Sequence, residues 1–79
     1  MNTYNAFIAK DPMEQFCQAV ILLAVDDYRR HRRALRLNPG NATAKREISK
    51  IERFFKGPRY QMLTTVDGDY LIRKLREEG

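Results

Sequence analysis

Between Pro12 and Leu37 the chain runs 26 residues with no glycine and no proline after the first, and both ends carry helix punctuation. At the front, "DPMEQ" offers Asp11 as N-cap, Pro12 at the first helical position and Glu14 three residues past the cap. At the back, "NPGN" stops the run, because Pro39 disfavours helix in the residue before it and Gly40 supplies a turn. A 79-residue chain that commits about a third of itself to one helix must build its core against that helix. Met13, Phe16, Val20, Leu23, Ala24, Tyr28, His31 and Leu35 recur at steps of three and four, which predicts the core-facing side. From Ala19 to Val25 every residue is apolar, which predicts cover on more than one side.

The remaining segments also read as helices. Asn41 is placed to cap "ATAKREISKIERFFK", whose Ala44, Ile48, Ile51 and Phe55 form one stripe widened by Phe54. Gly57 and Pro58 end it, the glycine being suited to a left-handed C-terminal turn. "PRYQMLTTV" predicts a short helix starting at Pro58, since a strand there has no partner to pair with. "DGDYLIRKLREE" predicts a last helix capped by Asp67 and burying Leu71, Ile72 and Leu75. Residues 1–10 show no sustained period and read as an N-terminal arm, with Tyr4, Phe7 and Ile8 available to fold back. The expected architecture is all-α: one helical domain over 11–79, a small three- or four-helix bundle with a long first helix.

Chains this short bury only about 60 to 65 per cent of their unfolded surface, so such domains often add disulfides, a metal or a second copy of themselves. Cys17 is the only cysteine and His31 the only histidine, which excludes an internal disulfide and leaves zinc without four ligands. No cofactor motif is present, so helix packing or a homodimer is expected to supply the missing stability. The longest apolar run, "AVILLAV", is seven residues and follows acidic Asp11 and Glu14, unlike an export signal or a membrane span. The expectation is a soluble protein of a reducing cytoplasm.

Charge is unevenly spread. Residues 1–27 carry Lys10 against Asp11, Glu14, Asp26 and Asp27, a net of −3, while 28–79 carry fourteen cations against six acids, a net of +8. Such asymmetry points to an anionic partner. The densest stretch is "DDYRRHRRALRL", with five arginines between positions 29 and 36. At about 100° per residue it divides into two faces. Tyr28, His31 and Leu35 continue the apolar side, and Arg29, Arg32, Arg33 and Arg36 form a ridge, with Arg30 beside it. Asp26 lies three and four residues before Arg29 and Arg30 and is expected to answer part of that charge. A solvated helix face is the competing reading. Against it, the run is all arginine, the residue that makes bidentate contacts to carboxylate and phosphate. By contrast Lys45, Arg46, Glu47, Lys50, Glu52 and Arg53 look like an ordinary paired surface. Arg53, Arg59, Arg73, Lys74 and Arg76 would extend the ridge if the fold brought them to it, with Tyr28, Phe54 and Tyr60 as aromatic anchors.

Other motifs carry less. "RALRLNPGNATA" resembles the junction between tetratricopeptide repeats, but the chain has no room for three repeats, so it reads as a generic helix hairpin. "DGD" at 67–69 resembles part of a calcium loop, yet "YLIRKLR" after it supplies no side-chain ligands, and capping explains it better. The Asp26/Asp27 and Asp67/Asp69 pairs have capping or ion-pairing roles, and no phosphate loop or nucleophile constellation accompanies them. His31 is expected to border the core and Cys17 to be a small core residue. A helix-turn-helix over 58–78 would put Asp69, Tyr70 and Leu71 where base readers belong.

One longer resemblance spans roughly 19 to 77. "AVDDYR" followed by "EISKIERFFKGPRYQMLTTVDGDYLIRKLRE" is similar to a group of small uncharacterised proteins of Firmicutes phages and prophages. The shared elements are the DYR-like helix segment, the "IERFF" stretch and the "LTTVDGDYLIRKLR" close. The resemblance implies a mobile-element origin and a helical fold, and no activity. The reading of the whole chain is a non-enzymatic binding protein acting in the host bacterial cytoplasm. Its basic helical surface would dock on an acidic host protein or nucleoprotein complex, as a defence-system (anti-CRISPR-type) inhibitor does. The alternative is a phosphate grip on DNA or RNA without sequence readout.

Overall fold

The computed structural model describes residues 11–79, so the expected arm at 1–10 lies outside the described residues. Four helices follow one another: α1 Pro12–Leu37, α2 Ala42–Lys56, α3 Pro58–Leu63 and α4 Gly68–Glu77. The chain is an all-helical bundle led by its long first helix, and no described helix is long and apolar enough to cross a membrane.

The starts of α1, α2 and α4 obey side-chain capping. Asp11, Asn41 and Asp67 accept hydrogen bonds from the backbone N–H of Glu14, Ala44 and Tyr70, at 3.0, 3.0 and 3.3 Å. The stops are set by proline. Asn38 and Gly57 each precede a proline and take extended backbone, φ −143° and −92°, where the helix cannot continue. Gly57 therefore does not adopt the left-handed turn expected of it, and no described glycine has positive φ. The proline ring behind it ends the helix instead.

The core is aromatic. Tyr28 of α1, Phe55 of α2 and Tyr60 of α3 are fully enclosed, with Val25, Ile48, Ile72 and Leu75 around them. Phe55 meets Tyr28 and Tyr60 edge to face, with ring centroids 6.1 and 5.6 Å apart. Full burial of a large apolar side chain stabilises by roughly 1.5 to 3 kcal/mol, so three rings account for much of a core this thin. The buried residues of α1 are Val25 and Tyr28, with Ile21, Ala24 and Leu35 partly buried against them, so only part of the expected row faces the core. Met13, Phe16 and Leu23 are exposed, and Val20, Ala24, His31 and Leu35 are half-buried. The apolar stretch 19–25 fits several helical phases equally well, so its periodicity could not choose among them.

Within this core sits one polar group. The Tyr28 hydroxyl donates to Glu52 Oε2 at 2.5 Å, and Arg76 grips the same carboxylate through Nε and a terminal nitrogen at 3.2 and 2.8 Å. One carboxylate thus ties α1, α2 and α4 together. Burial disfavours the charge on Glu52, but the hydrogen bonds from Tyr28 and Arg76 and the charges of Arg76 and Lys56 outweigh it, leaving the pKa below its ordinary 4.5. The Tyr28 hydroxyl is pushed above 10, first by burial and then by its bond to Glu52.

Because the folded pKa of Glu52 is depressed, its contribution to stability is present above about pH 4.5 and lost as pH falls through the folded value. Urea unfolding followed between pH 7 and pH 3 should show stability declining below pH 4.5, with a shallower decline in Glu52→Gln. Gly68 gives a second test. A Cβ there would lie 2.0 Å from the Phe55 carbonyl oxygen and 2.9 Å from its carbon, so α4 starts where it does only because position 68 has no side chain. Glycine to alanine in a helix ordinarily stabilises by up to about 1 kcal/mol. Gly68→Ala should instead lower stability by about 1 to 3 kcal/mol, read as a drop in the urea midpoint at unchanged slope.

Candidate anion-binding surface

On α1 the side chains of Arg29, Arg32, Arg33 and Arg36 lie within an arc of about 100°, as their spacing required, but the ridge is not a bare wet face. The end of α4 rests on it. Arg29 holds the Glu78 carboxylate in a two-point fork, Nε to Oε1 at 2.8 Å and a terminal nitrogen to Oε2 at 2.7 Å. Arg36 donates to the Gly79 carbonyl at 2.9 Å and Arg32 to the Arg76 carbonyl at 3.4 Å. Both carbonyls lie at the C-terminal end of α4, where the backbone dipole also favours cations. A cleft of about 180 Å³ lies between the four arginines, Leu75, Glu78 and Gly79. Arg33 lines it and has no hydrogen bond or ion pair among the described residues.

The expected acidic neighbour is also different. Asp26 makes no ion pair with the ridge and adds only its charge to the field at Arg29. Arg30 pairs with Asp27, one residue on, and Arg29 turns to Glu78 across the fold. The Glu78 bond raises the pKa of Arg29, and the Arg29 bond lowers that of Glu78. A distant carboxylate reaches the fork because α4 delivers it, which short-range spacing along α1 could not reveal.

The remaining basic residues divide by helix. Arg76 is bound to Glu52. Arg73 and Lys74 stand over the Tyr70 ring, 5.3 and 5.6 Å from its centroid, and Lys74 also pairs with Glu77 at 3.6 Å. Arg59 is exposed at the start of α3. On α2 the structure reverses the sequence reading of a paired surface. Lys50 does pair with Glu47, at 3.6 Å, but Glu52 has turned inward. Lys45, Arg46, Arg53 and Lys56 are left exposed without an ion pair among the described residues, Arg46 and Arg53 on the face opposite Ile48 and Phe55 and the two lysines on its flank. Arg46 and Arg53 are seven residues apart, nearly in line and roughly 10 Å along the axis.

The aromatic anchors need correcting. Tyr28 and Tyr60 are 0 % and 1 % exposed and present no surface to a partner. They are core rings because α2 and α3 close over them. Phe54 alone of the three reaches the surface, in a groove with Val20, Leu23, Ala24, Asp27, Lys50 and Ile51. Met13, Phe16, Leu22, Leu23 and Met62 are exposed apolar side chains that sequence reasoning missed as surface features. Their signal was present in the excess of apolar residues over what one helix face needs. His31 is half-buried, as expected, and Cys17 is partly buried. Asp67 serves as a cap, and no group of three metal-ligating side chains occurs among the described residues.

If the Arg29 fork fixes the end of α4, Glu78→Gln should speed amide hydrogen exchange across 72–78 while leaving α2 unchanged. Equal protection in the variant would mean that the core contacts of Ile72 and Leu75 alone hold the helix. No protein-family model matches this chain, and comparison with curated proteins and with solved structures returns no match.

Proposed function

We propose that the protein is a small non-enzymatic binding protein that docks a cationic helical surface on an acidic host protein or nucleoprotein complex. The observation that carries this reading is the pairing of two kinds of surface on one small molecule. Unpaired cations stand at Arg33 and along Lys45, Arg46, Arg53 and Lys56, and large apolar side chains stand open on α1 and α3. Protein interfaces combine arginine with apolar anchors, whereas a phosphate backbone needs only the cations. The Arg29 fork already holds a protein carboxylate, the contact an acidic docking surface would offer to its neighbours on the ridge. The resemblance to phage and prophage proteins suits a role inside an infected bacterium.

The α2 row supports a second reading, in which the same cations grip the phosphates of DNA or RNA without reading sequence. Salt dependence separates the two. A phosphate grip predicts measurable binding to random duplex or single-stranded DNA at low salt, falling steeply with salt. Arg46→Ala and Arg53→Ala together would then reduce the log–log slope by about 2. The docking reading predicts weak, shallow binding to such probes. It also predicts a partner captured from host lysate that survives nuclease treatment and is lost with Arg33→Glu and Arg46→Glu. Partners that all vanish with nuclease would overturn it.

A further inference from the structure

The cleft beside the end of α4 gathers more positive charge than the fold uses. Arg29, Arg32, Arg33 and Arg36 line it with Leu75, Glu78 and Gly79, so four guanidinium groups face one carboxylate. Positions 29, 32, 33 and 36 are related by steps of three and four, the spacing at which like charges on a helix oppose one another. Solubility alone does not require four cations to meet at one recess. Their contacts to α4 also leave most of their capacity open. A guanidinium has five N–H donors; Arg32 and Arg36 each give one to a carbonyl, and Arg33 gives none among the described residues.

We infer that this cleft is a binding site for a compact phosphoryl dianion, as inorganic phosphate or the end of a small phosphomonoester, and that Glu78 is its internal competitor. Size, charge and lining each favour that class. The cleft measures about 180 Å³, and a water takes roughly 30 Å³ in the liquid, so a tetrahedral anion of five heavy atoms fits. Arginine meets phosphate oxygens in the same two-point geometry that Arg29 shows with Glu78. A doubly charged group draws on several cations at once, whereas the single carboxylate of Glu78 is answered by one. The lining holds Leu75 and no ring, so a nucleobase finds no stacking partner there and the phosphoryl group is what the site can read.

Glu78 stands where the anion would go. Its fork to Arg29 is half exposed on both sides, 50 % and 48 %, which makes it a weak contact that a multiply charged anion can displace. Release of Glu78 returns the Arg29 fork to the cleft beside the other three arginines. The site goes beyond the docking reading: Arg33 is common to both, but neither a partner protein nor the α2 row is needed to fill the cleft.

Titration of the full chain with sodium phosphate at pH 7.5, against chloride at a matched ionic strength of about 50 mM, tests it by NMR of backbone amides and arginine Nε–H groups. Saturable shifts are expected at the four arginines and the amides of 75–79, with a millimolar Kd. Arg33→Gln should weaken binding about tenfold, the loss of one charge-assisted contact, at an unchanged urea midpoint. Glu78→Gln should tighten it about threefold, the scale of an exposed ion pair. Arg46→Gln with Arg53→Gln should leave it unchanged, which separates this site from the α2 row. Equal binding of glycerol phosphate would assign the site to a monoester end, and binding of phosphate alone would assign it to the free ion. Shifts that grow linearly and spread over all exposed cations would overturn the inference. So would equal loss in the α2 double variant, or weaker binding after Glu78→Gln. None of these readouts involves a partner, so they stand or fail without the docking reading.

Discussion

The Glu52 carboxylate is the contact on which the rest of the arrangement depends. It belongs to α2 but spends its charge inward, on the Tyr28 hydroxyl of α1 and the Arg76 guanidinium of α4. An unpaired carboxylate at this depth would cost several kcal/mol, so the three partners are required together. Their joint presence fixes how α1, α2 and α4 cross, in a core too small to specify that by packing alone. Two consequences reach the surface. Arg76 is drawn towards α2, which lays the end of α4 across the α1 arginines. Glu52 is also turned away from Lys56, four residues on, which is left exposed without an ion pair among the described residues. One half-buried acid therefore ties up Arg76 and leaves Lys56 without an ion pair.

That transfer explains how the basic surface differs from what the sequence suggested. The conspicuous feature was the arginine run, and half of it is structural. Arg29, Arg32 and Arg36 satisfy the carboxylate and carbonyls at the end of α4, and Arg30 has Asp27. The inconspicuous feature was the mixed charge of α2, which turns out to be a cationic row. Spacing within one helix reports which residues are near neighbours, at i+3 and i+4. It does not report whether a carboxylate prefers a neighbour in water or a tyrosine and an arginine across the core. Glu47 chose the first and Glu52 the second.

Helix identity was legible throughout and the limits of α1, α2 and α4 almost to the residue, because caps and prolines act locally, whereas α3 stops at Leu63, three residues before its expected end. Asp11, Asn41 and Asp67 cap where their types and positions required, and Asn38 and Gly57 stop helices because prolines follow them. The burial of Ala44, Ile48 and Phe55 on α2 followed from a stripe with polar residues between. On α1 the same logic failed where polar residues ran out. From Ala19 to Val25 every phase of the helix looks apolar, and only the docking of α2 and α3 selects Val25 for burial, with Ile21 and Ala24 at its edge. The two tyrosines were legible as aromatic and not as buried, since a hydroxyl suits a rim as well as a core.

Length then accounts for the exposed apolar side chains of α1. A helix of 26 residues is about 39 Å long, whereas one of 15 residues reaches only about 22 Å. α1 packs on α2 and on the six-residue α3, which together cannot cover its whole length, so an overhang follows from this topology. A polar overhang would be soluble and inert, and helix propensity alone holds such a segment weakly in water. This overhang carries Met13, Phe16 and Leu23 on its open side and an Asp11–Pro12 start that fixes its first turn. The two halves of α1 therefore differ: the basic half is tied to the end of α4, and the apolar half leaves Met13, Phe16 and Leu23 exposed.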